Sequence, residues 1–203
     1  MITLAIRTPL TKGKKGGLKD THLDGIIFKI LEQVVRVRTS LLPARYDSRA
    51  VFADMAQKSR IDPQMVEDIC LGNVSDAKAA YYVRAACLAA GFPNTTSAYS
   101  TNRFCSSGLK ATQDIANQII TGSIEIGVAI GAESMSDGGD RLTRPFVDEI
   151  INSNQDAADC LQPMGQTSEN VGKDFEIPRE AQDKYAAESV SYTHLTLPTK
   201  RIV

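Results

Sequence analysis

Hydrophobic and polar positions follow two different periods along the first two thirds of the chain. A short β-branched run, Ile2 to Ile6, is stopped by Arg7, Thr8 and Pro9 and predicts a strand. Apolar residues then recur at steps of one, three, one, three and one, which puts them on one face of a helix. The residues with this helical spacing are Ile26, Ile27, Ile30, Leu31, Val34 and Val35.

The same order of strand and helix continues as far as residue 130. Segments 67–74, 96–102 and 124–130 predict strands, the last with bulky side chains on one face and mostly small ones on the other. Segments 79–90 and 106–120 predict helices that end at Gly91 and Gly122. A βαβαβαβ order is typical of an α/β fold with a parallel or mostly parallel sheet, helices on both faces, and chemistry at the carboxyl ends of the strands.

The character of the chain changes after Ser134. Polar loops and helices continue to about Val190 without another convincing strand, which predicts an insertion or lid rather than sheet. Two segments conflict with their surroundings. Residues 36–56 carry four arginines and two aspartates and interrupt the amphipathic pattern, and residues 191–203 change abruptly to Thr, Leu and Pro with a basic end.

Composition excludes several classes of protein. With 42% hydrophobic residues and a formal charge of -1 over 203 residues, the chain is an ordinary globular protein and has no basic surface for nucleic acid. No apolar run reaches the ~18 residues of a membrane span, and the N-terminus has no readable secretory signal. Four cysteines without metal-ligand spacing predict neither a disulfide scaffold nor a metal site, and favour a reducing compartment.

Cys105 is the strongest candidate for chemistry. It lies where the strand 96–102 gives way to the helix 106–120, and unpaired N–H groups at a helix N-terminus favour the nucleophilic thiolate. The small residues that follow would let an acyl group approach the sulfur. The alternative is a buried structural cysteine, which is the commoner fate of a free cysteine and suits Cys70 and Cys87 better. Cys160, in a polar loop, is open to either interpretation.

A nucleophilic cysteine needs a base, and the chain holds only His22 and His194. His22 is most simply a surface residue, and His194 lies in the segment that conflicts with its surroundings. The loop 12–17 lacks the spacing of a phosphate-binding motif and predicts a solvated turn. Arg84 is equally consistent with an ion pair and with a substrate clamp.

The segment Asn102-Arg103-Phe104-Cys105-Ser106-Ser107-Gly108-Leu109 resembles the thiolase family, in its fungal and peroxisomal 3-ketoacyl-CoA thiolase branch. Further matches occur in the family's order over about 170 residues. They are Arg7-Thr8-Pro9 with Gly16-Gly17, Gly72-Asn73-Val74, Arg84-Ala85-Ala86 with Ala89-Ala90-Gly91, Gly131-Ala132-Glu133-Ser134-Met135-Ser136, and the segment from Met164 to Val171.

The resemblance implies a mechanism and a setting. Cys105 would take the acyl group of a 3-ketoacyl-CoA, releasing acetyl-CoA, and coenzyme A would then remove the group as a shortened acyl-CoA. Met164 would line the acyl pocket. Coenzyme A would be a substrate, with no cofactor or metal, and neither nucleic acid nor a membrane would be a partner. The family also implies a peroxisomal location and, for the intact protein, a homodimer joined near the strand 96–102.

The resemblance gives the chain an organisation. Residues 1–134 would be a thiolase-like N-terminal core and residues 135–190 part of a loop domain over the substrate. Segment 36–56 would be a non-native insertion, such as a translated intron, although an ordinary surface loop insertion is the alternative. Segment 191–203 would be a non-native tail.

The family also implies a second half with a Gly-His-Pro segment and a later Cys-x-Gly segment, which supply the base and the acid. Neither follows Cys105 in this sequence, so we expect this chain alone to have little or no thiolase activity. Two alternatives remain at this point. One is a non-catalytic half-domain that binds an acyl-CoA or a full-length partner. The other is a redox protein that uses Cys105 with a resolving cysteine, which the lack of any Cys-x-x-Cys disfavours.

Overall fold

A computed structural model describes residues 2, 4–36, 62–137 and 146–196 of the chain, with side chains to residue 191. The chain divides into two compact units, one that runs to Gly139 and one from Asp140 to Arg201. Segment 36–56, which the sequence marks as an insertion, lies outside the described residues apart from Arg36. Residues 197–203 of the predicted tail also lie outside them.

The first unit is built on three parallel strands, β1 (Asp68–Gly72), β2 (Ser97–Thr101) and β3 (Gly127–Gly131), in the order β2-β1-β3. All five residues of the central strand β1 are buried. Gly72 is in register with Thr101 on one side and with Gly131 on the other. The three strands therefore end level with one another, and the segments that follow them meet at one edge of the sheet.

Helices cover both faces of this sheet, as the strand and helix order predicts. α1 (Leu23–Arg36) and α2 (Ala79–Ala89) share one core with Ile69 and Leu71 of β1. α3 (Ser107–Ile120) packs on the opposite face, where Cys70 meets Ala111 and Ile115. Successive side chains of a strand point to opposite faces, so a strand between two helical layers is buried on both faces.

The first predicted strand, Ile2 to Ile6, is wrong: residues 2 and 4–12 are described without strand structure. Exposure alternates between Leu4 and Ile6, which are half-buried, and Ala5 and Arg7, which are exposed. This segment lines an open groove of about 890 Å³ beside β3. Alternation alone does not make a strand, because a strand also needs backbone hydrogen bonds to a neighbour.

The strand predicted at 124–130 begins later, at Gly127. Ile124 accordingly packs with the α3 core, whereas Ile126, Val128 and Ile130 pack with the α1 and α2 core. The prediction of one common face is therefore wrong for Ile124, since the chain at 121–126 is still turning out of α3.

The second unit is helical in the part that the structure describes. Its helices are α4 (Asp148–Ser153), α5 (Gln155–Asp159), α6 (Met164–Asp174) and α7 (Arg179–Thr196). This confirms the prediction of loops and helices without a strand for residues 146–190. Every helix of the described residues is too short or too polar to cross a membrane.

Candidate active site

Cys105 lies at the carboxyl edge of the sheet, in the turn that joins β2 to α3. Its side chain is exposed, whereas those of Cys70 and Cys87 are buried. Ser106 is the N-cap of α3 but makes no side-chain capping bond, and its hydroxyl instead donates to the carbonyl of Arg103 at 2.8 Å. The start of a helix concentrates unpaired N–H groups, so this position places an accessible sulfur beside groups that stabilise negative charge.

The turn that carries Cys105 has an unusual backbone at Phe104, whose φ is +51°. Few residues other than glycine adopt this left-handed conformation. Oδ1 of Asn102 accepts the Phe104 N–H at 2.9 Å. Oγ of the buried Ser107 accepts the Arg103 N–H at 2.9 Å and donates to the Phe104 carbonyl at 2.6 Å. Side-chain hydrogen bonds on both sides of Phe104 thus hold the turn in one shape.

Three glycines let the first turn of α3 lie directly on the ends of two strands. A Cβ on Gly72 would meet the backbone of Ser107, and would lie 2.6 Å from the amide nitrogen of Gly108. Gly108 and Gly131 also lie close to each other, because a Cβ on Gly131 would lie 3.2 Å from the Gly108 Cα. The sequence at these positions therefore fixes how near the nucleophile lies to the ends of β1 and β3.

The segments that follow β1 and β3 are joined by side-chain hydrogen bonds. Nδ2 of Asn73, a buried residue, donates to the carbonyl of Ala132 at 2.8 Å. The carboxylate of Glu133 accepts the Val74 N–H at 3.0 Å, and it also accepts the Ser75 hydroxyl. Nδ2 of Asn102 in turn donates to the Val74 carbonyl at 3.1 Å. The loops after all three strands are therefore connected through residues 73–75.

His22 is exposed, as predicted, but it has a specific partner. Its Nδ1 lies 3.0 Å from Oδ2 of Asp137, which also accepts the Leu23 N–H. The hydrogen bond and the negative charge of Asp137 raise the pKa of His22. The bond from His22 lowers the pKa of Asp137. His22 is thus paired with a carboxylate, and the side chain of His194 lies outside the described residues.

The other cysteines differ from Cys105. Cys70 and Cys87 are buried, as predicted, and burial raises the pKa of both thiols. Cys160 is exposed, and its thiol donates to the carbonyl of Asp156 at 3.4 Å. Cys70-Leu71-Gly72 has the Cys-x-Gly spacing, but it forms part of the buried strand β1, so this thiol is closed to substrate.

Arg84 and Met164 are the remaining candidates from the sequence. Arg84 donates to the carbonyls of Thr96 and Asn94, so it ties the loop before β2 to α2. Met164 is the first residue of α6 in the second unit, and 66% of it is exposed. The loop at 12–17 is a turn, as predicted, and the Lys14 N–H donates to Oγ of Ser136. The described residues contain no group of three or more metal-ligating side chains.

Comparison with known proteins identifies the family of this site. The sequence profile of the family described as "Thiolase, N-terminal domain" matches residues 38–195. The peroxisomal 3-ketoacyl-CoA thiolase B of Candida tropicalis is 41% identical over 191 residues, and that of Yarrowia lipolytica is 42% identical over 191 residues. Each match covers 93% of this chain. The chain spans 42% and 41% of the lengths of these relatives.

Solved structures agree in fold. The dimeric peroxisomal thiolase of Saccharomyces cerevisiae matches with a TM-score of 0.72 and 37% identity over 90% of this chain and 43% of that one. A thiolase of Ascaris suum in complex with coenzyme A matches with a TM-score of 0.63 and 27% identity, over 91% of this chain and 45% of that one. The α/β fold expected from the sequence is confirmed by these likenesses.

Proposed function

This chain belongs to the thiolase family, and from that premise we propose that it carries the nucleophile of an enzyme that cleaves 3-ketoacyl-CoA with coenzyme A. The observation that supports this most directly is the exposed thiol of Cys105, held at the start of α3 by a fixed turn at the carboxyl edge of the sheet. Of the four cysteines, Cys105 alone combines exposure with a helix N-terminus.

The proposed reaction uses Cys105 twice. Its sulfur attacks the 3-keto carbon, and the bond between C2 and C3 of the substrate breaks, leaving the electron pair on C2. A proton added to C2 completes acetyl-CoA. The thiol of coenzyme A then attacks the thioester, which releases the shortened acyl-CoA and returns the Cys105 thiol. N–H groups at the start of α3 are suited to the negative charge that develops on the carbonyl oxygen.

Proton transfer in this scheme needs groups that the described part of this chain does not bring to Cys105. His22 is paired with Asp137, and Cys70 is buried. We therefore propose that the 203-residue chain alone turns over little or no 3-ketoacyl-CoA. Thiolysis of acetoacetyl-CoA by the purified chain, lost in Cys105→Ser, would contradict this part of the proposal.

Acyl transfer to the sulfur can be tested without full turnover. The chain is incubated with acetyl-CoA, and its cysteine peptides are weighed by mass spectrometry. We expect one acetyl thioester at Cys105, removed by added coenzyme A, and none at the exposed Cys160. Equal labelling of both cysteines, or no labelling at Cys105, would exclude the nucleophilic role. Binding of coenzyme A without labelling would favour the non-catalytic binding role instead.

Met164 is proposed to contact the acyl chain of the substrate. Two observations support this proposal. Met164 lies within the segment 164–171 that resembles the family, and its side chain is exposed. In an active protein containing this chain, Met164→Ala would raise KM for long acyl chains while leaving acetoacetyl-CoA unaffected. An equal change for both substrates would contradict this role.

We also propose a peroxisomal location and, for the intact protein that contains this chain, a homodimer. The yeast structure that this chain resembles is described as dimeric, and β2 is an edge strand among the described residues. An unpaired strand edge is a ready surface for pairing with a second chain. Sedimentation equilibrium of the intact protein should give twice the mass of one chain, and a monomer at all concentrations would exclude the dimer. The relatives are named as peroxisomal, so a tagged protein should overlap a peroxisomal marker.

A further inference from the structure

The turn that carries Cys105 is linked to the end of β3 through two side chains and one backbone unit. Glu133, two residues after β3, accepts the Val74 N–H on Oε2 at 3.0 Å. The carbonyl of Val74 accepts Nδ2 of Asn102 at 3.1 Å. Oδ1 of the same Asn102 accepts the N–H of Phe104 at 2.9 Å. Each step is a hydrogen bond of ordinary length, and the last one ends at the residue before the nucleophile.

We propose that Glu133 and Asn102 are positioning residues that keep the Cys105 sulfur at the start of α3. This inference rests on the proposed role of Cys105 as the nucleophile. Neither side chain needs to touch the substrate, because each acts through the shape of the turn.

The left-handed backbone of Phe104 explains why the turn needs support. A φ of +51° is unfavourable for a residue with a Cβ, by roughly 1 kcal/mol or more. Phe104 is also 78% exposed, so burial of its ring gives little compensation. Without the bond from its N–H to Asn102, the turn would populate other backbone shapes, and Cys105 would leave the helix N-terminus.

Nδ2 and Oδ1 of the Asn102 side chain both form hydrogen bonds, and the bond to the Val74 carbonyl fixes the orientation of the side-chain amide. The Val74 carbonyl stays in place because its own N–H is held by Glu133, which also accepts the Ser75 hydroxyl and, at 3.4 Å, Nδ2 of Asn73. A carboxylate suits this position because all three partners are donors. A glutamine here would bring its NH₂ group against one of those donors, so Glu133→Gln is a disruptive change of nearly equal volume.

The charge of Glu133 makes the test discriminating. Removing a negative charge near a thiol would by itself favour the thiolate and speed alkylation. Loss of positioning predicts the opposite, a slower reaction. Asn102→Ser breaks the bridge without changing charge, since a serine hydroxyl can still accept the Phe104 N–H but is too short to reach the Val74 carbonyl.

The experiment follows alkylation of the full chain by iodoacetamide from about pH 6 to about pH 9, with Cys105 and Cys160 read separately by mass spectrometry. We expect Glu133→Gln and Asn102→Ser each to slow Cys105 by about fivefold at neutral pH, the effect of losing one hydrogen bond of ordinary strength. Its pH profile should move to higher pH, while Cys160 keeps its rate and profile. Glu125→Gln, at the other end of β3, is the matched control and should leave both cysteines unchanged.

The double variant decides whether the two residues act in one path. If they do, Glu133→Gln combined with Asn102→Ser should be no slower than the slower single variant. Multiplying effects, or a Cys105 rate that stays unchanged or rises in Glu133→Gln, would overturn the proposal. If Glu133→Gln loses the protection of Cys70 and Cys87, its fold has failed, and Asn102→Ser alone decides the outcome.

Failure of this inference is distinguishable from failure of the proposed function. If Cys105 of the unmodified chain takes no acetyl group from acetyl-CoA, its role as the nucleophile is excluded. If Cys105 takes the acetyl group at the same rate in Glu133→Gln, Asn102→Ser and the unmodified chain, Cys105 keeps its role as the nucleophile. Only the positioning role of Glu133 and Asn102 is then excluded.

Discussion

The Cα of Gly72, the last residue of β1, lies against the backbone of Ser107, the first residue of α3. A Cβ at this position would overlap the Ser107 carbonyl and lie 2.6 Å from the nitrogen of Gly108. Backbone atoms of a helix cannot move aside as a flexible side chain can. The contact therefore couples the end of the central strand to the helix that follows Cys105.

Gly72→Ala should accordingly displace the start of α3 and lower the free energy of unfolding by about 3 kcal/mol, the upper end for overpacked interiors. Gly25→Ala in α1 is the matched control, because its Cβ would meet only Cγ2 of Thr21 at 3.7 Å. Alanine is the better helix former, so this control should gain up to about 1 kcal/mol. Urea unfolding of both variants measures the difference, and equal stability would show that α3 can shift without cost.

Gln118 satisfies a buried carboxylate on the face of the sheet that α3 covers. Its Nε2 donates to Oδ2 of Asp68 at 3.0 Å, and Asp68 is only 6% exposed. Gln118→Ala removes this donor and should cost about 1 to 3 kcal/mol, as expected for a buried acceptor left short of a partner. Asn117→Ala, exposed on the same helix, should be neutral or slightly stabilising in the same urea titration. Equal losses in both variants would contradict this role of Gln118.

The sequence predicts the helices and strands that are visible in the spacing of apolar residues along the chain. α1 and α3 have apolar faces at helical spacing, and β1 has the apolar centre Ile69-Cys70-Leu71, so each is predictable without a partner in view. The segment 2–6 has the same β-branched pattern as a strand. Whether it pairs depends on a neighbouring backbone, and a local pattern contains no information about that neighbour.

The sequence predicts the place of Cys105 in the candidate site, but not the hydrogen bonds around it. A cysteine between a strand and a helix is visible in the sequence, whereas the bonds from Glu133 to Val74 and from Val74 to Asn102 join residues 59 and 28 positions apart. The useful signal is that Val74 and Asn102 end two predicted strands and Glu133 follows a third, since parallel strands end at a common edge. His22 was predicted as exposed, but its pairing with Asp137 across 115 positions has no local signature.

The pair of His22 and Asp137 makes stability depend on pH. The folded pKa of His22 is raised above 6.5, so its contribution is complete below pH 6.5 and is lost as the pH rises through the folded value. The folded pKa of Asp137 is lowered below 3.8, so its contribution is present above pH 3.8 and is lost as the pH falls through the folded value.

Asp137→Asn should therefore lower Tm most between about pH 3.8 and pH 6.5, with a smaller difference at higher pH. The control is Asp20→Asn, since Asp20 forms an exposed pair with Lys19 whose partners are strongly solvated. An NMR titration should also show the His22 ring titrating at lower pH in Asp137→Asn. A difference in Tm that stays constant with pH would show that the pair does not form in solution.

Cysteine accessibility should divide the four thiols into two classes. Iodoacetamide should modify Cys105 and Cys160 in the folded chain, and Cys70 and Cys87 only after denaturant is added, because burial shields both and raises their pKa. Mass spectrometry of the folded chain should find two modified sites, and one in a Cys160→Ser variant. Rapid labelling of Cys87 under native conditions would mean that α2 does not pack on the sheet as described.

Phe104 offers a direct measure of the strain in the turn before Cys105. Glycine adopts a φ of +51° freely, and the Phe104 ring is 78% exposed, so Phe104→Gly should raise the free energy of unfolding by about 1 kcal/mol. Phe175 is a matched control, because it is 75% exposed and has an ordinary φ of -103°. Phe175→Gly should lose stability, by up to about 1 kcal/mol, from the greater freedom of the unfolded chain. Denaturant unfolding compares the two variants. If both lose stability equally, the left-handed backbone of Phe104 has no cost, and the turn needs no support from Asn102.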